Sequence, residues 1–127
     1  GHEAVRDTVR RCFDRHVIPF HRQWERDGIV PRGVWREAGA AGILCPLLAE
    51  EYGGAGADFG YSAVVIEEIA RTNCTGPGFP LHSDIVVPYI EDLARPERKR
   101  EWLPGMAAGE IIGAIAMTEP GMGSDLK

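Results

Sequence analysis

The stretch from Glu3 to Asp27, EAVRDTVRRCFDRHVIPFHRQWERD, places Val5, Val9, Cys12, Phe13, Val17, Phe20 and Trp24 at steps of three and four. That is the period of a helix with one apolar face. Pro19 is expected to bend or break it, because proline cannot donate to the helical ladder and crowds the preceding turn. Arg6, Arg10, Arg11, Arg15 and Arg22 occupy the other face and read as a solvated surface, with Asp7 spaced to pair with Arg10 or Arg11. Working outward, a second helix is expected from near Pro31 through Val34, Trp35 and Ala38 toward Gly39–Gly42, and a glycine-rich loop from Cys45 to Gly60. From Phe59 to Arg71 the helical period returns, with Ser62, Val65, Ile66, Ile69 and Ala70 on one side and Glu67, Glu68 and Arg71 on the other. A Gly/Pro turn over Thr75–Pro80 precedes a helix through Leu81, Ile85, Val86, Tyr89, Ile90 and Leu93, kinked or split at Pro88. Arg95-Pro96-Glu97 opens one more, running through Trp102 and Leu103 toward Gly105–Gly109. The fold class is all-α, a bundle of about five helices with short connections.

The 127 residues, 44% hydrophobic, 26% charged and 8% aromatic, fit one compact domain able to bury a core. Nineteen acidic against fourteen basic residues give a net charge of −5, so no basic field exists to attract nucleic acid. The longest apolar runs, such as Ile111–Met117, fall far short of the roughly 20 residues that span a bilayer, and no basic-then-apolar leader opens the chain. Cys12, Cys45 and Cys74 are odd in number, widely spaced and without a CxxC pair, so they read as buried reduced thiols in a reducing compartment, which points to the cytoplasm. Glu50, Glu51, Glu67 and Glu68 invite a catalytic reading. They are taken instead as a loop pair and a solvated helix face, because nothing places a partner base or substrate beside them.

The end of the chain is different in kind. Ile111 to Met117 is a short, uncharged run rich in isoleucine and bounded by a Pro/Gly cluster, which suggests a buried strand. A strand alone leaves its backbone groups unpaired, and no second strand offers itself. The expectation is therefore a helical domain over 1–110 and, over 111–127, the beginning of a β-domain belonging to a longer protein, with the break after Lys127 compatible with cleavage at an exposed loop. Thr118-Glu119-Pro120-Gly121-Met122-Gly123-Ser124-Asp125 follows the run. Such a loop can present backbone N–H groups and hydroxyls to an anionic or carbonyl-bearing ligand. It has the spacing of neither a GxGxxG fingerprint nor a Walker loop, and its pattern suits an ordinary turn equally well.

Ala116 to Asp125 resembles the flavin-binding signature of the acyl-CoA dehydrogenases, a strand ending in Thr-Glu-Pro-Gly-x-Gly-Ser-Asp. Glu50-Glu51-Tyr52-Gly53-Gly54-Ala55-Gly56 resembles the same family's Pro-Glu-Glu-Tyr-Gly-Gly loop after the second helix, and Lys99 to Glu110 its Lys-x-x-x-Leu-Pro-x-x-x-x-Gly-Glu segment, all three in the family's order. The resemblance implies the N-terminal helical domain of such an enzyme plus the first strand of its middle β-domain. It implies FAD as cofactor, an acyl-CoA substrate oxidised at its α,β carbons, an electron-transferring flavoprotein as acceptor, and a homotetramer or related mixed assembly. The carboxylate that removes the α proton would lie in a C-terminal helical domain, outside these residues. By the same resemblance the backbone of Ile115, Ala116 and Met117 lies against the flavin, Thr118 hydrogen-bonds its ring, Gly123 permits close approach, and Ser124 contacts both flavin and acyl-CoA. Capping of the turn is the structural alternative for Thr118 and Ser124. Gly78, Leu81, His82 and Ile85 are candidates for the wall of the acyl pocket, with core packing or a surface cap as the alternative for His82. Two positions depart from the pattern: Ile115, where several members carry a larger or aromatic side chain, and Met122, where the signature has a small one. The same fold also serves acyl-CoA oxidases and flavin monooxygenases, separable by electron acceptor, and a non-catalytic helical subunit, separable by a missing flavin spectrum.

Overall fold

Helix α1 (His2–His16) stops where Pro19 requires it to. The N–H groups of Val17 and Ile18 both turn onto the carbonyl of Phe13, at 3.1 and 2.8 Å, and the chain reverses over Val17–Phe20 before α2 (His21–Asp27) begins. Of the two outcomes expected at Pro19, a bend or a break, the chain takes the break. Helix α3 (Arg32–Ala40) starts after Pro31, and a single 3-10 turn, Glu50–Tyr52, punctuates the glycine-rich loop. Helix α4 (Phe59–Thr72) opens at Asp58, whose carboxylate accepts the Gly60 N–H at 2.8 Å, and closes on Asn73 in the left-handed region at φ 56°. A π-helical turn, Leu81–Val86, then runs directly into α5 (Val87–Leu93), and α6 (Pro96–Ala107) follows. The disturbance expected at Pro88 appears one turn earlier as this wider turn. Pro88 has no N–H and its ring crowds the carbonyl four residues back, and a π turn gives that carbonyl room. The computed structural model describes residues 1–125; Leu126 and Lys127, which close the expected 111–127 fragment, lie outside the described residues.

The bundle forms around three rings. Phe79, 1% exposed, meets Phe13 of α1 edge to face with centroids 6.1 Å apart and Trp35 of α3 at 4.8 Å. Each fully buried ring of this kind contributes roughly 2–3 kcal/mol of transfer free energy, and edge-to-face geometry adds to it. Val9, Val17, Ala38, Ile43, Leu48, Leu103 and Met106 close the core. Helix α1 lies along α4 and α3, while α6 packs on α5 and the 3-10 turn. Cys12, Cys45 and Cys74 are all buried free thiols. Burial pushes Cys12 up to about 11 and Cys45 up to about 12, so both stay protonated and inert near neutral pH.

Two expectations about charge are corrected. Arg6 and Arg10 are partly exposed side chains committed to an ion pair rather than free solvated charges, and Glu68 is buried. Glu68 is 1% exposed and accepts hydrogen bonds from Arg6 Nη1 at 2.8 Å, Arg10 Nε at 2.9 Å and Nη2 at 3.1 Å, and Arg71 Nε at 3.3 Å. Arg6 also reaches Glu67 at 2.8 Å. A lone buried carboxylate would be costly, and this one is tolerated because its oxygens are paired with guanidinium donors. Hydrogen bonds from Arg10 and Arg6, set against the cost of burial, hold its pKa down at about 2. The cluster fastens α1 to α4. Arg10 is thereby committed to Glu68 rather than to Asp7.

The buried strand expected over Ile111–Met117 is not formed among the described residues. The segment is extended but unpaired, and the single bridge nearby joins Glu119 and Met122 across a tight turn. The reason is the one the sequence contains: a strand needs a neighbour, and the described chain supplies none. Among the described residues no helix is long and apolar enough to cross a membrane.

Candidate functional site

The extended segment leaves the bundle from the end of α6. The N–H groups of Glu110 and Ile111 both donate to the carbonyl of Gly105, at 2.9 and 3.1 Å, which ends the helix. Gly109 makes this reversal at φ 75°, and a Cβ there would stand 2.0 Å from the Trp35 carbonyl oxygen, so only glycine lets α6 and α3 approach so closely. Ile112 packs on the core, and Gly113 lies so near Val86 Cγ1 and Met106 Cε that a Cβ would meet each at 2.8 Å.

Beyond Gly113 the chain emerges into water. Among the described residues the N–H groups of Ala114 to Thr118 donate to no backbone carbonyl, and the side chains of Ile115 and Met117 are 38% and 55% exposed. Glu119 and Met122 then exchange two backbone hydrogen bonds, at 3.1 and 2.9 Å, around Pro120-Gly121. This turn brings Thr118, Gly123 and Ser124 to the same exposed tip, their hydroxyls in solvent. A run of unpaired amides, two apolar side chains and two hydroxyls is the donor set for a flat ligand with polar edges.

The acyl-wall candidates separate. Leu81 and Ile85 sit on the outer side of the π turn, 41% and 44% exposed, and Gly78 forms the turn before it at φ 65°. His82 does not join them. It is fully buried, packed edge to face on Trp35 with centroids 5.1 Å apart, and both ring nitrogens are engaged. Nε2 lies 3.0 Å from the Met106 carbonyl oxygen, and Nδ1 lies 2.9 Å from the Gly113 nitrogen. A carbonyl only accepts and an amide N–H only donates, so the proton is on Nε2 and the ring is neutral. Burial lowers its pKa from the usual histidine value, opposed by the Met106 carbonyl. The expected wall contact by the His82 side chain is therefore corrected: no polar atom of the ring remains for a substrate.

The same turn carries two further anchors that periodicity alone does not disclose. Ser83 Oγ accepts the Cys45 N–H at 2.9 Å, holding the loop where Cys45 adopts φ 51°. Ser62 donates to Asp84 at 2.6 Å, tying α4 to the π turn, and burial raises the Asp84 carboxyl. Glu50 and Glu51 lie exposed on the 3-10 turn, as a loop pair would. Among the described residues no group of acidic, histidine and cysteine side chains could hold a metal ion.

A bundle of this topology, with a glycine-rich loop projecting beyond the end of its last helix, defines the class. The family model for the acyl-CoA dehydrogenase N-terminal domain matches residues 1–110. The chain is 52% identical over 126 residues to the long-chain specific acyl-CoA dehydrogenase of rat mitochondria, covering 99% of this chain and 29% of that protein. An acyl-CoA dehydrogenase of Geobacillus kaustophilus superposes with a TM-score of 0.91 at 46% identity, over 98% of this chain and 33% of that one. A glutaryl-CoA dehydrogenase of Mycobacterium smegmatis, solved in complex with FADH2, superposes at 0.86 with 27% identity, over 97% and 32%. The chain belongs to the acyl-CoA dehydrogenase family, and it spans under a third of the length of these relatives. The cytoplasmic location expected from the cysteines is overturned, since the rat relative is a mitochondrial protein by name. Reduced thiols report a reducing environment and carry no address.

Proposed function

We propose that the whole protein oxidises an acyl-CoA thioester at its α and β carbons with FAD as cofactor, and that its substrate is a long-chain acyl group. The observation that carries this reading is the exposed Ile115–Ser124 segment, whose free amides and hydroxyls lie at the tip of a bundle of this family. The 52% identity to a long-chain specific relative supports the chain length.

These residues suit the cofactor. The amides of Ile115, Ala116 and Met117, unpaired within the described chain, have the donor chemistry that a flavin's ring edge accepts. Thr118 would offer a hydroxyl beside them, Gly123 would allow close approach, and Ser124 would offer a second hydroxyl to flavin and thioester. Ile115 and Met117 give apolar cover. When bound, FAD supplies the acceptor for the substrate's β hydride. The chain's donors favour that transfer by meeting the negative charge that reduction places on the ring. A carboxylate elsewhere in the whole protein takes the α proton, and the electrons pass on to an electron-transferring flavoprotein. Gly78, Leu81 and Ile85 form one wall of the acyl pocket. We also propose the division into a helical domain over 1–110 and a β-domain beginning at 111, whose second strand pairs with Ile111–Met117, and a homotetrameric or related mixed assembly.

Anaerobic mixing of the full-length protein with a sixteen-carbon saturated acyl-CoA tests the reading. Bleaching of the oxidised flavin band is expected, and faster than with a four-carbon thioester. An unchanged spectrum would contradict the activity, and stoichiometric peroxide in air would favour an oxidase.

A further inference from the structure

We infer that His82 is a positioning residue for the flavin-binding segment: its neutral ring joins the last turn of α6 to the Gly113 amide, two residues before that segment, and so sets where the chain leading into Ile115–Ser124 leaves the bundle. The inference rests on the flavin reading of that segment, but its geometry does not. His82 Nε2–H donates to the Met106 carbonyl at 3.0 Å, and its Nδ1 accepts the Gly113 N–H at 2.9 Å. The segment is otherwise free. Among the described residues the next backbone donor to find a carbonyl is Glu119, inside its own turn. The single side-chain bond at Gly113 is thus the last fixed point before the residues that meet the cofactor.

The surroundings are built to hold this ring in one orientation. Trp35 packs edge to face against it at 5.1 Å. Ser83, the next residue, is held by the Cys45 N–H, and Asp84 by Ser62, so the π turn is tied on both sides. On this turn His82 faces the core while Leu81 and Ile85 face outward. Gly113 fits only because it has no Cβ, packed as it is between Val86 and Met106. Bond, stack and close contact converge on one amide. A histidine needed only for filling would not require both nitrogens to be placed against backbone groups of two different segments, because a leucine or phenylalanine fills space without that cost.

The test uses the full-length protein and His82→Gln. The glutamine amide keeps a donor near the Nε2 position for Met106 and loses the acceptor that Gly113 uses. Loss of one such bond corresponds to about a tenfold change in local equilibrium. In the flavin-free protein the Gly113 amide should exchange its hydrogen about tenfold faster, and FAD should bind about tenfold more weakly, while core amides of α1 and α4 keep their protection. Unchanged exchange at Gly113 in a folded variant would overturn the inference. Should the variant fail to fold, nitrogen-15 spectra of the wild-type imidazole decide: protonated Nε2 with an accepting Nδ1 supports it, and the opposite tautomer overturns it. If the wild type binds no FAD, the flavin reading falls by itself and the exchange result still judges the latch. Glu68→Gln is the control for mere destabilisation, expected to lower the melting temperature without changing the Gly113 exchange ratio or the FAD affinity of the folded protein.

Discussion

Glu68 and His82 are both withdrawn from water, at 1% and 0% exposure, yet they are held in opposite ways. Glu68 is kept charged by guanidinium groups on two helices, and what it joins is helix to helix, α1 to α4. His82 is kept neutral by a carbonyl and an amide, and what it joins is the bundle to a segment that makes no other backbone contact before its own turn. Glu68 therefore belongs to stability and His82 to placement. A buried ionisable side chain tells its role by what it bonds: side chains of neighbouring helices in one case, main chain of the projecting segment in the other.

The largest effect should come from the ring that both regions lean on. Phe79 touches Phe13 on the helix that carries Arg6 and Arg10, and Trp35 on the side of His82. Phe79→Ala is expected to cost roughly 3–5 kcal/mol, read as a fall in the denaturant midpoint with both regions losing amide protection together. Loss of protection in only one of them would show that the regions are not coupled through this ring. Glu68→Gln should cost less, roughly 2 kcal/mol, because two of its three arginines are partly solvated. Thermal unfolding of Glu68→Gln and of the Arg6→Ala double variant measures the coupling, and additive effects would refute the cluster.

Acid separates the regions. Glu68 is held near 2 against an ordinary 4.5, so its contribution is complete above 4.5 and is lost as pH falls toward 2. His82 is a base with a lowered pKa. Its contribution is complete above the usual 6.5 and erodes as pH falls below it, because the unfolded chain then binds the proton first. The protection factor of Gly113, taken against the intrinsic exchange rate at the same pH, should therefore fall in mildly acidic buffer while α1 and α4 keep theirs, and a single common transition would contradict the division. The smallest effect concerns neither region directly. Asp58→Ala removes the cap that opens α4 and should cost about 1 kcal/mol, with no change at Gly113.

Most of the helical architecture was legible because its apolar residues keep a helical period, and Pro19, Pro31 and Pro96 mark boundaries in ordinary ways. What was not legible depends on contacts between distant segments. Glu68 stands three residues from Val65 and four from Val64, at the edge of the buried face, and that spacing could have flagged it. Arg71 lies only three residues on, but Arg6 and Arg10 lie about sixty positions away, and no local rule finds them. His82 was visible as a residue of interest, but its two backbone partners, Met106 and Gly113, come from elements whose meeting is a property of the fold. The unpaired Ile111–Met117 run has a related cause, since a strand's periodicity announces the element and not its neighbour.

The most direct measurement is hydrogen exchange across Ala114–Thr118 in the full-length protein, with and without FAD. The account predicts that these amides exchange rapidly in the flavin-free form and become protected when FAD binds, with Gly113 already protected in both. FAD bound with no change in exchange over Ala114–Thr118 would contradict it.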